Sequence, residues 1–396
     1  MSHSRRRLHI LGSTGSIGVS TLDVIDSLER AEDPSPRFEL VSLAAGTRAD
    51  ALEKQAARFG VMNVAIGDQA RGADLDSSRT VWCGEDSATE MISEIARPGD
   101  MVLAAMVGAA GVPAVVAAIE AGCDIALANK ETLVAAGELV TRLARTRGVE
   151  LLPVDSEHAA LHQCLRSGRG PEEVSKLVLT ASGGPFRSWS RERMRSATVE
   201  EALAHPTWSM GPKVTIDSAS MMNKGLEMIE AHWLFGIDAD RIHAIIHPQS
   251  IVHSFVEFRD GSSLAQLSPP DMRMPIQYAI CHPHRVPGCA PSLDYASLRS
   301  LVFEPVDHDK FQAIELARRA IRRGGTAGAI LNAANEAAVE GFLAGRINFG
   351  EISEVVGEAC EAIGHGEITS LADVRAADEE ARAFVSSRFE ARVGTD

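Results

Sequence analysis

The first half of the chain alternates short apolar runs with stretches in which apolar residues recur at helical spacing. The apolar runs begin near residues 8, 38, 63, 80, 101, 125 and 149, and helix-like segments such as VSTLDVIDSLER and ETLVAAGELVTRLAR lie between them. Regular alternation of this kind is typical of a parallel sheet with helices on both faces. The sequence therefore predicts an α/β fold with an N-terminal doubly wound, Rossmann-like domain over residues 1–150.

The pattern changes after residue 150. KLVLTASGGPF (residues 176–186) predicts a strand that runs into a turn of small residues. The segment over residues 241–270 alternates with period two and has a turn near Asp260-Gly261, which predicts antiparallel strands. We therefore expect a central α+β catalytic domain over residues 151–290, with strands that could form a dimer surface.

Four stretches with helical periodicity follow from residue 311 onward. They predict a C-terminal helical bundle over residues 312–396, preceded by a linker over residues 291–311. Asn332, Asn335 and Glu336 fall inside the second of these helices, where buried polar groups can tie neighbouring helices together. We predict no catalytic chemistry for this bundle.

A glycine-rich turn joins the first predicted strand to the first helix. Gly12 to Gly18 read GSTGSIG directly after the strand LHIL, a variant of the dinucleotide fingerprint. Glycines let the backbone approach a pyrophosphate, whose charge the N–H groups of the helix N-terminus receive. A glycine trio alone is often only a tight turn, but the order strand, turn, helix predicts a dinucleotide site.

The end of the next strand indicates which dinucleotide binds. FELVSLAAG (Phe38 to Gly46) has no acid at its tip, where an NAD-selective site would place Asp or Glu for the ribose 2′-hydroxyl. Arg48 follows, and its guanidinium could bind a 2′-phosphate. Arg48 could instead be an exposed residue at the start of the next helix. The nearby Asp50 also weakens the case for a bound phosphate. The sequence favours NADP(H) over NAD(H).

Three carboxylates form a candidate metal site. The apolar run LLPVDSE ends in Asp155 and Glu157, and alternate residues at a strand end face the same side. Glu227 lies in the helix-like MMNKGLEMIE, with Lys224 one turn earlier. Carboxylates without a Cys or His partner suit a hard divalent cation, magnesium or manganese before zinc, with cobalt as a third candidate.

Further polar residues lie where ligands of α/β sheets bind, beyond the carboxyl ends of the strands. Asn129-Lys130-Glu131 follow a predicted strand, although an ordinary charged first turn of a helix would look the same. Ser182 lies in the turn after the strand at 176, where exposed N–H groups and its hydroxyl could meet an anion, and a bare loop is the alternative.

The segment from residue 204 to residue 230 adds donors for an anionic group. Ser218, Asn223 and Lys224 bring a hydroxyl, an amide and an ammonium to a helix start, which are the groups that a phosphate requires. Trp208 lies in the aperiodic loop AHPTWSMGPK, where an aromatic residue is either a packing anchor or part of a lid over a ligand.

Composition narrows the classes of protein. The 39 Lys+Arg against 54 Asp+Glu give a net charge of −15, which argues against nonspecific nucleic-acid binding. The six scattered cysteines include no C-x-x-C pair and favour a reducing cytosol, so we expect a cytoplasmic protein. Neither a signal peptide nor an apolar run long enough to span a bilayer is recognisable, and no membrane association is expected. The cluster Arg5-Arg6-Arg7 predicts a solvated N-terminal arm.

Taken together, the motifs identify a family. In chain order they are GSTGSIG, ANKETLV, PVDSEH, ASGGPFR, HPTWSMG, DSASMMNKGLE and HPQSIVHS. In these motifs the chain resembles the 1-deoxy-D-xylulose 5-phosphate reductoisomerases over nearly its whole length. The resemblance implies a homodimeric, metal-dependent enzyme. Such an enzyme rearranges this phosphorylated sugar and reduces the product with NADPH to 2-C-methyl-D-erythritol 4-phosphate, the second step of the methylerythritol phosphate route to isoprenoid precursors.

The resemblance also implies roles for individual residues. The metal ligands would be Asp155, Glu157 and Glu227, and with them Lys130 and His205 would be catalytic. The substrate would contact Lys130, Ser156 and Glu157 at its polar end, Ser182, His205, Ser218, Asn223 and Lys224 at its phosphate, and Trp208 and Met210 on a mobile flap. NADPH would contact Thr14, Gly15, Ser16, Ile17, Gly46, Thr47, Arg48, Asn129, Glu131 and Gly211. The chain departs from the family pattern at Thr207, where Asn is frequent, and at Thr47-Arg48, which replaces a Lys-Asn pair.

Two other functions are consistent with parts of the sequence. A plain NADP-dependent dehydrogenase of a phosphorylated aldehyde would need the glycine turn but not three carboxylates. A non-enzymatic NADP-binding Rossmann protein would carry the carboxylates as surface charge and would not respond to a divalent metal. The segments DSE and KGLE disfavour both alternatives.

Overall fold

The computed structural model describes residues 5–31, 37–208 and 210–393, the last four of these without their side chains. The described chain forms two compact units. The first comprises the described residues of Met1–Thr132 with Val140–Ala159 and Asp271–Ser292, and the second comprises Leu133–Leu139, Ala160–Pro270 and Leu293–Asp396. The functional domain boundaries expected from the sequence remain a prediction.

Strands and helices alternate in the described residues much as the periodicity indicates. The strands are β1 (Arg6–Leu11), β2 (Phe38–Ala45), β3 (Asn63–Ile66), β4 (Thr80–Cys83), β5 (Met101–Ala104), β6 (Asp124–Leu127), β7 (Leu151–Pro153), β8 (Val174–Ala181), β9 (Ile242–Ile246), β10 (Val252–Phe258) and β11 (Ser263–Leu267). The helices are α1 (Ser16–Arg30), α2 (Ala49–Phe59), α3 (Ser87–Ile95), α4 (Val112–Glu120), α5 (Lys130–Arg147), α6 (Ser156–Leu165), α7 (Arg191–Arg195), α8 (Val199–Leu203), α9 (Pro212–Ala219), α10 (Met222–Phe235), α11 (Arg273–Cys281), α12 (Ala313–Arg323), α13 (Ala327–Leu343), α14 (Phe349–Ala362) and α15 (Leu371–Val393). Among these helices none combines the length and the apolar character needed to cross a membrane.

The first unit is built on a seven-stranded parallel sheet with the strand order β4-β3-β2-β1-β5-β6-β7. Both faces are covered, so strand residues such as Leu8, Ile10, Leu43 and Leu103 are completely buried. Burying each such side chain contributes about 1.5–3 kcal/mol, which explains why these strands are apolar runs rather than alternating ones. The predicted doubly wound domain is confirmed, and its strand order reverses between β1 and β5.

The arginines at the start of β1 correct one expectation. Arg6 and Arg7 are the first residues of β1 rather than part of a solvated arm. Arg6 forms an ion pair with Asp124 at 2.7 Å and donates to the carbonyl oxygens of Ile280 and His282. Arg7 pairs with the buried Asp100 at 3.0 Å. The carboxylates that attract these guanidinium groups lie far along the chain, so local composition did not reveal them.

The second unit contains a mixed four-stranded sheet with the order β11-β10-β8-β9. Strands β10 and β11 form the predicted antiparallel hairpin around Gly261, but β9 pairs in parallel with β8 and not with β10. The prediction of antiparallel strands was therefore wrong for β9. Period-two alternation identifies a strand but not its partner, and the helices between β8 and β9 supply the crossover that a parallel pair requires.

The helices of the second unit position its polar residues. The predicted C-terminal bundle is present as α12 to α15. In it the half-buried Glu336 accepts a hydrogen bond from Arg382 and so ties α13 to α15, whereas the buried Asn332 donates to Glu336 at 3.1 Å within α13 itself. The helix predicted to begin near Met221 is present as α10, and its lead-in is a separate helix, α9, because the backbone at Met221 is left-handed (φ 62°) and divides the two.

Candidate active site

The glycine turn after β1 is held by its own backbone. The N–H groups of Gly12 and Ser13 both donate to the carbonyl oxygen of Ala44 at the end of β2, at 2.9 and 2.8 Å. Gly12 has φ 88°, and a Cβ there would lie 2.3 Å from the carbonyl oxygen of Ala105, just beyond β5. Only glycine fits this close approach. The turn leads into α1, whose first N–H groups are free of any side-chain cap because the N-cap residue is Gly15.

Two side chains from the region of α2 brace this turn. Gln55 donates to the carbonyl oxygen of Ser13 at 2.9 Å and accepts from the Ser13 hydroxyl at 2.8 Å. Arg48, the N-cap residue of α2, donates to the carbonyl oxygen of Thr14. Arg48 therefore precedes the helix and also places its guanidinium against the glycine turn. These contacts fit a dinucleotide with a 2′-phosphate.

The other residues expected to contact NADPH lie in the first unit, with one exception. Thr14 is buried, Gly15, Ser16 and Ile17 begin α1, and Gly46 and Thr47 follow β2. A Cβ at Gly46 would meet no other atom within 4 Å, so the space beside it is open. Gly211 precedes α9 in the second unit.

Replacing Arg48 by Ala is expected to lower the preference for NADPH over NADH by about 10- to 100-fold, the size of one lost charge-assisted hydrogen bond. The ratio of kcat/KM for the two coenzymes measures this preference. Arg58→Ala is the matched control, because Arg58 lies on the same helix, is exposed and pairs with Asp26 at 3.0 Å. An unchanged ratio in the Arg48 variant would remove Arg48 from the coenzyme site.

The carboxyl ends of β5, β6 and β7 gather the next set of polar residues. Asn129 caps α5 by accepting from the N–H of Thr132 at 2.9 Å. Its amide donates to the carbonyl oxygens of Met106 and Gly108, the latter at 3.0 Å, and to the buried Glu131 at 3.0 Å. Asn129 thus links the ends of β5 and β6, and the first turn of α5 is more than an ordinary charged helix start.

Asp155 follows β7 in the same unit, but Glu157 lies in the first turn of α6, so the expectation that both occupy alternate positions of a strand end was wrong, because the helix begins at Ser156. The ammonium of Lys130 contacts the carboxylate of Asp155, and Ser156 donates its backbone N–H to Asp155 at 3.1 Å and its hydroxyl to Glu157. Burial alone would raise the pKa of Asp155, but the charges of Lys130 and His158 outweigh it and hold that pKa well below its usual range. The ionised carboxylate of Asp155 beside that of Glu157 offers the oxygen ligands that a hard divalent cation prefers.

The phosphate-side residues of the second unit centre on His205. Its Nδ1 accepts from the backbone N–H groups of Trp208 at 2.9 Å and Thr207 at 3.2 Å. Its Nε2 lies 3.0 Å from the hydroxyl of Ser182 and 3.1 Å from that of Ser218. Burial lowers the pKa of His205, so the neutral ring, protonated at Nε2, is favoured at neutral pH. The serine hydroxyls can then accept from the ring and keep their own protons for an anion.

Close packing holds Ser182 and Ser218 together. Gly184 has φ 62°, and a Cβ there would lie 2.8 Å from the carbonyl oxygen of Ser218. The N–H of Gly184 also donates to the Ser182 hydroxyl at 3.2 Å. The turn after β8 therefore packs directly on α9, and a side chain at Gly184 would push the two elements apart.

Glu227 lies on α10 with two of the predicted substrate-binding residues. Its carboxylate accepts from the amide of Asn223 and from the ammonium of Lys224, and Lys224 and Glu227 are both almost completely buried. Trp208 and Met210 are half-buried in the loop before α9. Asp155 and Glu157 belong to the first unit and Glu227 to the second. Their convergence on one ion and the mobility of the flap remain predictions.

Sequence reasoning missed some residues that support the site. Gln55 braces the glycine turn, and Asp217 is a buried carboxylate directly before Ser218. Neither position shows a distinctive spacing. Asp217 could have been noticed only because it directly precedes Ser218, which the sequence already assigns to the phosphate.

A parallel sheet with this glycine turn, and with carboxylates at the same edge, defines the class of dinucleotide-dependent, metal-assisted enzymes. Three family models match the chain: 1-deoxy-D-xylulose 5-phosphate reductoisomerase over residues 8–137, its C-terminal domain over 151–235, and the DXP reductoisomerase C-terminal domain over 267–384. The chain belongs to the family of 1-deoxy-D-xylulose 5-phosphate reductoisomerases.

Individual relatives agree with this assignment. The reductoisomerase of Mycobacterium avium is 53% identical over 362 residues, which are 90% of this chain and 85% of that protein. The Zymomonas mobilis enzyme in complex with NADPH has a TM-score of 0.88 and 41% identity, covering 98% of this chain and all of the other. A DOX-P reductoisomerase in complex with NADPH, fosmidomycin and magnesium has a TM-score of 0.89 and 38% identity, covering 99% of this chain and 100% of the other.

Proposed function

We propose that the chain catalyses the NADPH- and magnesium-dependent conversion of 1-deoxy-D-xylulose 5-phosphate to 2-C-methyl-D-erythritol 4-phosphate in isoprenoid precursor biosynthesis. One observation carries the proposal. The carboxyl edge of the seven-stranded sheet presents, along β1, β5, β6 and β7, the glycine turn after β1, Asn129-Lys130-Glu131 after β6, and Asp155 and Glu157 between β7 and the first turn of α6. A coenzyme site and a cation site at one sheet edge suit a reaction that needs both.

Residues of the chain hold and orient the reacting groups. When bound, a divalent cation supplies Lewis-acid polarisation of the substrate carbonyl, and NADPH supplies the hydride. Asp155, Glu157 and Glu227 would hold the cation, and Lys130 keeps Asp155 ionised and oriented. Ser156 would contact the polar end of the substrate. Positioning and exclusion of water account for most of the protein's contribution.

The second unit would bind the phosphate end of the substrate. The neutral ring of His205 orients the hydroxyls of Ser182 and Ser218, and Asn223 and Lys224 add an amide and an ammonium. Trp208 and Met210 would cover the substrate. Binding energy from the phosphate, which does not react, can serve to organise the reacting end.

The coenzyme residues and the functional domains form part of the same proposal. Thr14, Gly15, Ser16, Ile17, Gly46, Thr47, Arg48, Asn129, Glu131 and Gly211 would contact NADPH. Residues 1–150 would serve as the coenzyme domain, 151–290 as the catalytic domain, 291–311 as the linker and 312–396 as the helical domain. The brace between Arg48 and Thr14 supports a role for Arg48 at the 2′-phosphate.

Removal of the metal tests the proposed function. NADPH oxidation with 1-deoxy-D-xylulose 5-phosphate is expected in magnesium and is expected to fall to background in EDTA, then to return when excess magnesium is added. The absorbance of NADPH reports the rate. The same assay with a simple phosphorylated aldehyde separates the alternatives.

The outcomes discriminate between three functions. A plain dehydrogenase would oxidise NADPH with the aldehyde equally fast in EDTA and in magnesium. A nucleotide-binding protein without catalysis would bind NADPH and show no turnover with either substrate. Either result would contradict the proposed reaction.

We also propose a cytoplasmic homodimer. Two exposed apolar side chains support the dimer: Leu264 on the edge strand β11 is 40% exposed, and Phe303, which stacks on His247, is 38% exposed. A second copy of the chain that pairs with β11 would cover Leu264. Sedimentation equilibrium of the wild type and of Leu264→Asp tests the dimer, and a monomeric wild type would refute it.

The six free thiols suit a reducing compartment, which supports the cytoplasmic location.

A further inference from the structure

Asn335 connects the C-terminal bundle to the helix that carries Ser218. It lies in the middle of α13 with no exposed surface, and its amide Nδ2 donates to Oδ1 of Asp217 at 2.8 Å. A carboxylate can only accept hydrogen bonds, so the atom of Asn335 that faces Asp217 must be the amide nitrogen. Within the described residues the Oδ1 of Asn335 has no partner, which makes Asp217 the polar partner that orients the side chain.

Asp217 is held from two sides. Its side chain is 1% exposed, and its other oxygen pairs with the ammonium of Lys213, one turn earlier in α9, at 2.8 Å. A buried carboxylate depends on such partners. Leaving it without a hydrogen bond destabilises the fold by more free energy than a formed hydrogen bond contributes. Lys213 belongs to α9 itself, so Asn335 is the partner that fixes α9 against another helix.

Ser218 directly follows Asp217 on α9. Its hydroxyl lies 3.1 Å from Nε2 of His205, and its carbonyl oxygen packs against Gly184 in the turn that carries Ser182. A shift of α9 by a fraction of an ångström would therefore change the distances among the phosphate-side hydroxyls. Misplacement of this size at a distant position can weaken positioning strongly.

We propose that Asn335 is a positioning residue for the phosphate end of the substrate. It acts through Asp217, which it bonds, and fixes α9 so that the hydroxyl of Ser218 faces the phosphate. The inference rests on the proposed function, because the role of Ser218 at the phosphate comes from there. It gives the C-terminal bundle a part in substrate binding, where the sequence predicted none.

The test compares Asn335→Leu with Asn332→Leu. Leu keeps the branch of Asn at Cγ and lacks the donor, and the control variant at Asn332 carries the same increase in side-chain volume at an equally buried position. Asn332 is the matched control, because it lies one turn earlier on α13, is equally buried and donates to Glu336 rather than to α9. In Asn335→Leu the KM for the sugar phosphate is expected to rise about tenfold, equivalent to about 1.4 kcal/mol. The KM for NADPH should stay within about twofold of the wild-type value, well below the tenfold change expected for the sugar phosphate. Asn332→Leu should leave both KM values unchanged.

Inorganic phosphate is the second probe. Its dissociation constant, measured by titration calorimetry without turnover, is expected to rise by the same factor in Asn335→Leu and not in Asn332→Leu. An unchanged phosphate affinity in a folded Asn335→Leu would overturn the proposal. A wild type that binds phosphate but does not turn over would refute the proposed reaction and leave this comparison intact.

A reciprocal exchange covers the case in which Asn335→Leu does not fold. The double variant Asp217→Asn with Asn335→Asp keeps one amide and one carboxylate in contact with their positions exchanged. It is expected to bind phosphate more tightly than Asn335→Asp alone, in which two acceptor-only carboxylates face each other. Equal or weaker binding by the double variant would overturn the proposal.

Discussion

Replacing Glu227 by Gln is expected to reduce kcat by at least about a thousandfold while the fold persists. The amide has the shape of the carboxylate but not its charge, so it is a much poorer ligand for a hard divalent cation. Lewis-acid stabilisation of the reacting oxygen contributes several kcal/mol, and each 1.36 kcal/mol is a factor of ten in rate. Glu227 is 1% exposed and held by Asn223 and Lys224, so its position is fixed before any ligand binds.

The measurement separates chemistry from folding. The rate of NADPH oxidation at saturating substrate is compared over a titration of magnesium, and the thermal midpoint reports the fold. Glu340→Gln is the control, because Glu340 is an exposed helical glutamate on α13. Full activity in Glu227→Gln would contradict its assignment as a metal ligand. An equal loss in Glu340→Gln would indicate a nonspecific effect of the lost charge.

Much of the fold was predictable because apolar periodicity depends on local sequence and burial. The strands of the seven-stranded sheet are buried on both faces, so each is a short apolar run, and the glycine turn fixes the order of strand and helix around it. The partner of a strand does not follow from its own residues. Strand β9 alternates with period two as β10 does, yet it pairs in parallel with β8.

The site was predictable where chemistry is concentrated in one motif. Asp155 after β7, Glu157 in the first turn of α6, and Asn129-Lys130-Glu131 after β6 lie at the sheet edge that the strand order dictates. Residues that act through a tertiary contact gave no such signal. Gln55 lies 42 positions from Ser13 and Asn335 lies 118 positions from Asp217, and only the folded chain reveals those partners.

The break between α9 and α10 shows a different limit. The helix over Met221–Glu230 was predicted, but its lead-in is itself a helix, and the two are divided by Met221, whose left-handed backbone most residues avoid. Such a conformation costs about 1–2 kcal/mol and persists where surrounding contacts impose it. The break gives α10 a new N-terminus directly before Asn223 and Lys224, both of which hold Glu227. The motif marks the helix that carries Glu227, whereas the left-handed residue that sets the start of this helix depends on tertiary contacts.

Replacing Gly12 by Ala is expected to raise the KM for NADPH by at least about a hundredfold. The left-handed backbone alone costs a non-glycine residue about 1–2 kcal/mol, and the added Cβ would lie 2.3 Å from the carbonyl oxygen of Ala105. The end of β1 and the segment after β5 must then separate, which moves the turn that receives the pyrophosphate.

Gly46→Ala is the contrasting variant, because its Cβ would meet no other atom of the protein within 4 Å. Thermal midpoints of both variants, measured with and without NADPH, separate the two effects: Gly12→Ala should lose stability and most of the NADPH-induced increase, whereas Gly46→Ala should keep the stability of the free protein. NADPH affinity close to that of the wild type in Gly12→Ala would show that the turn does not determine coenzyme binding.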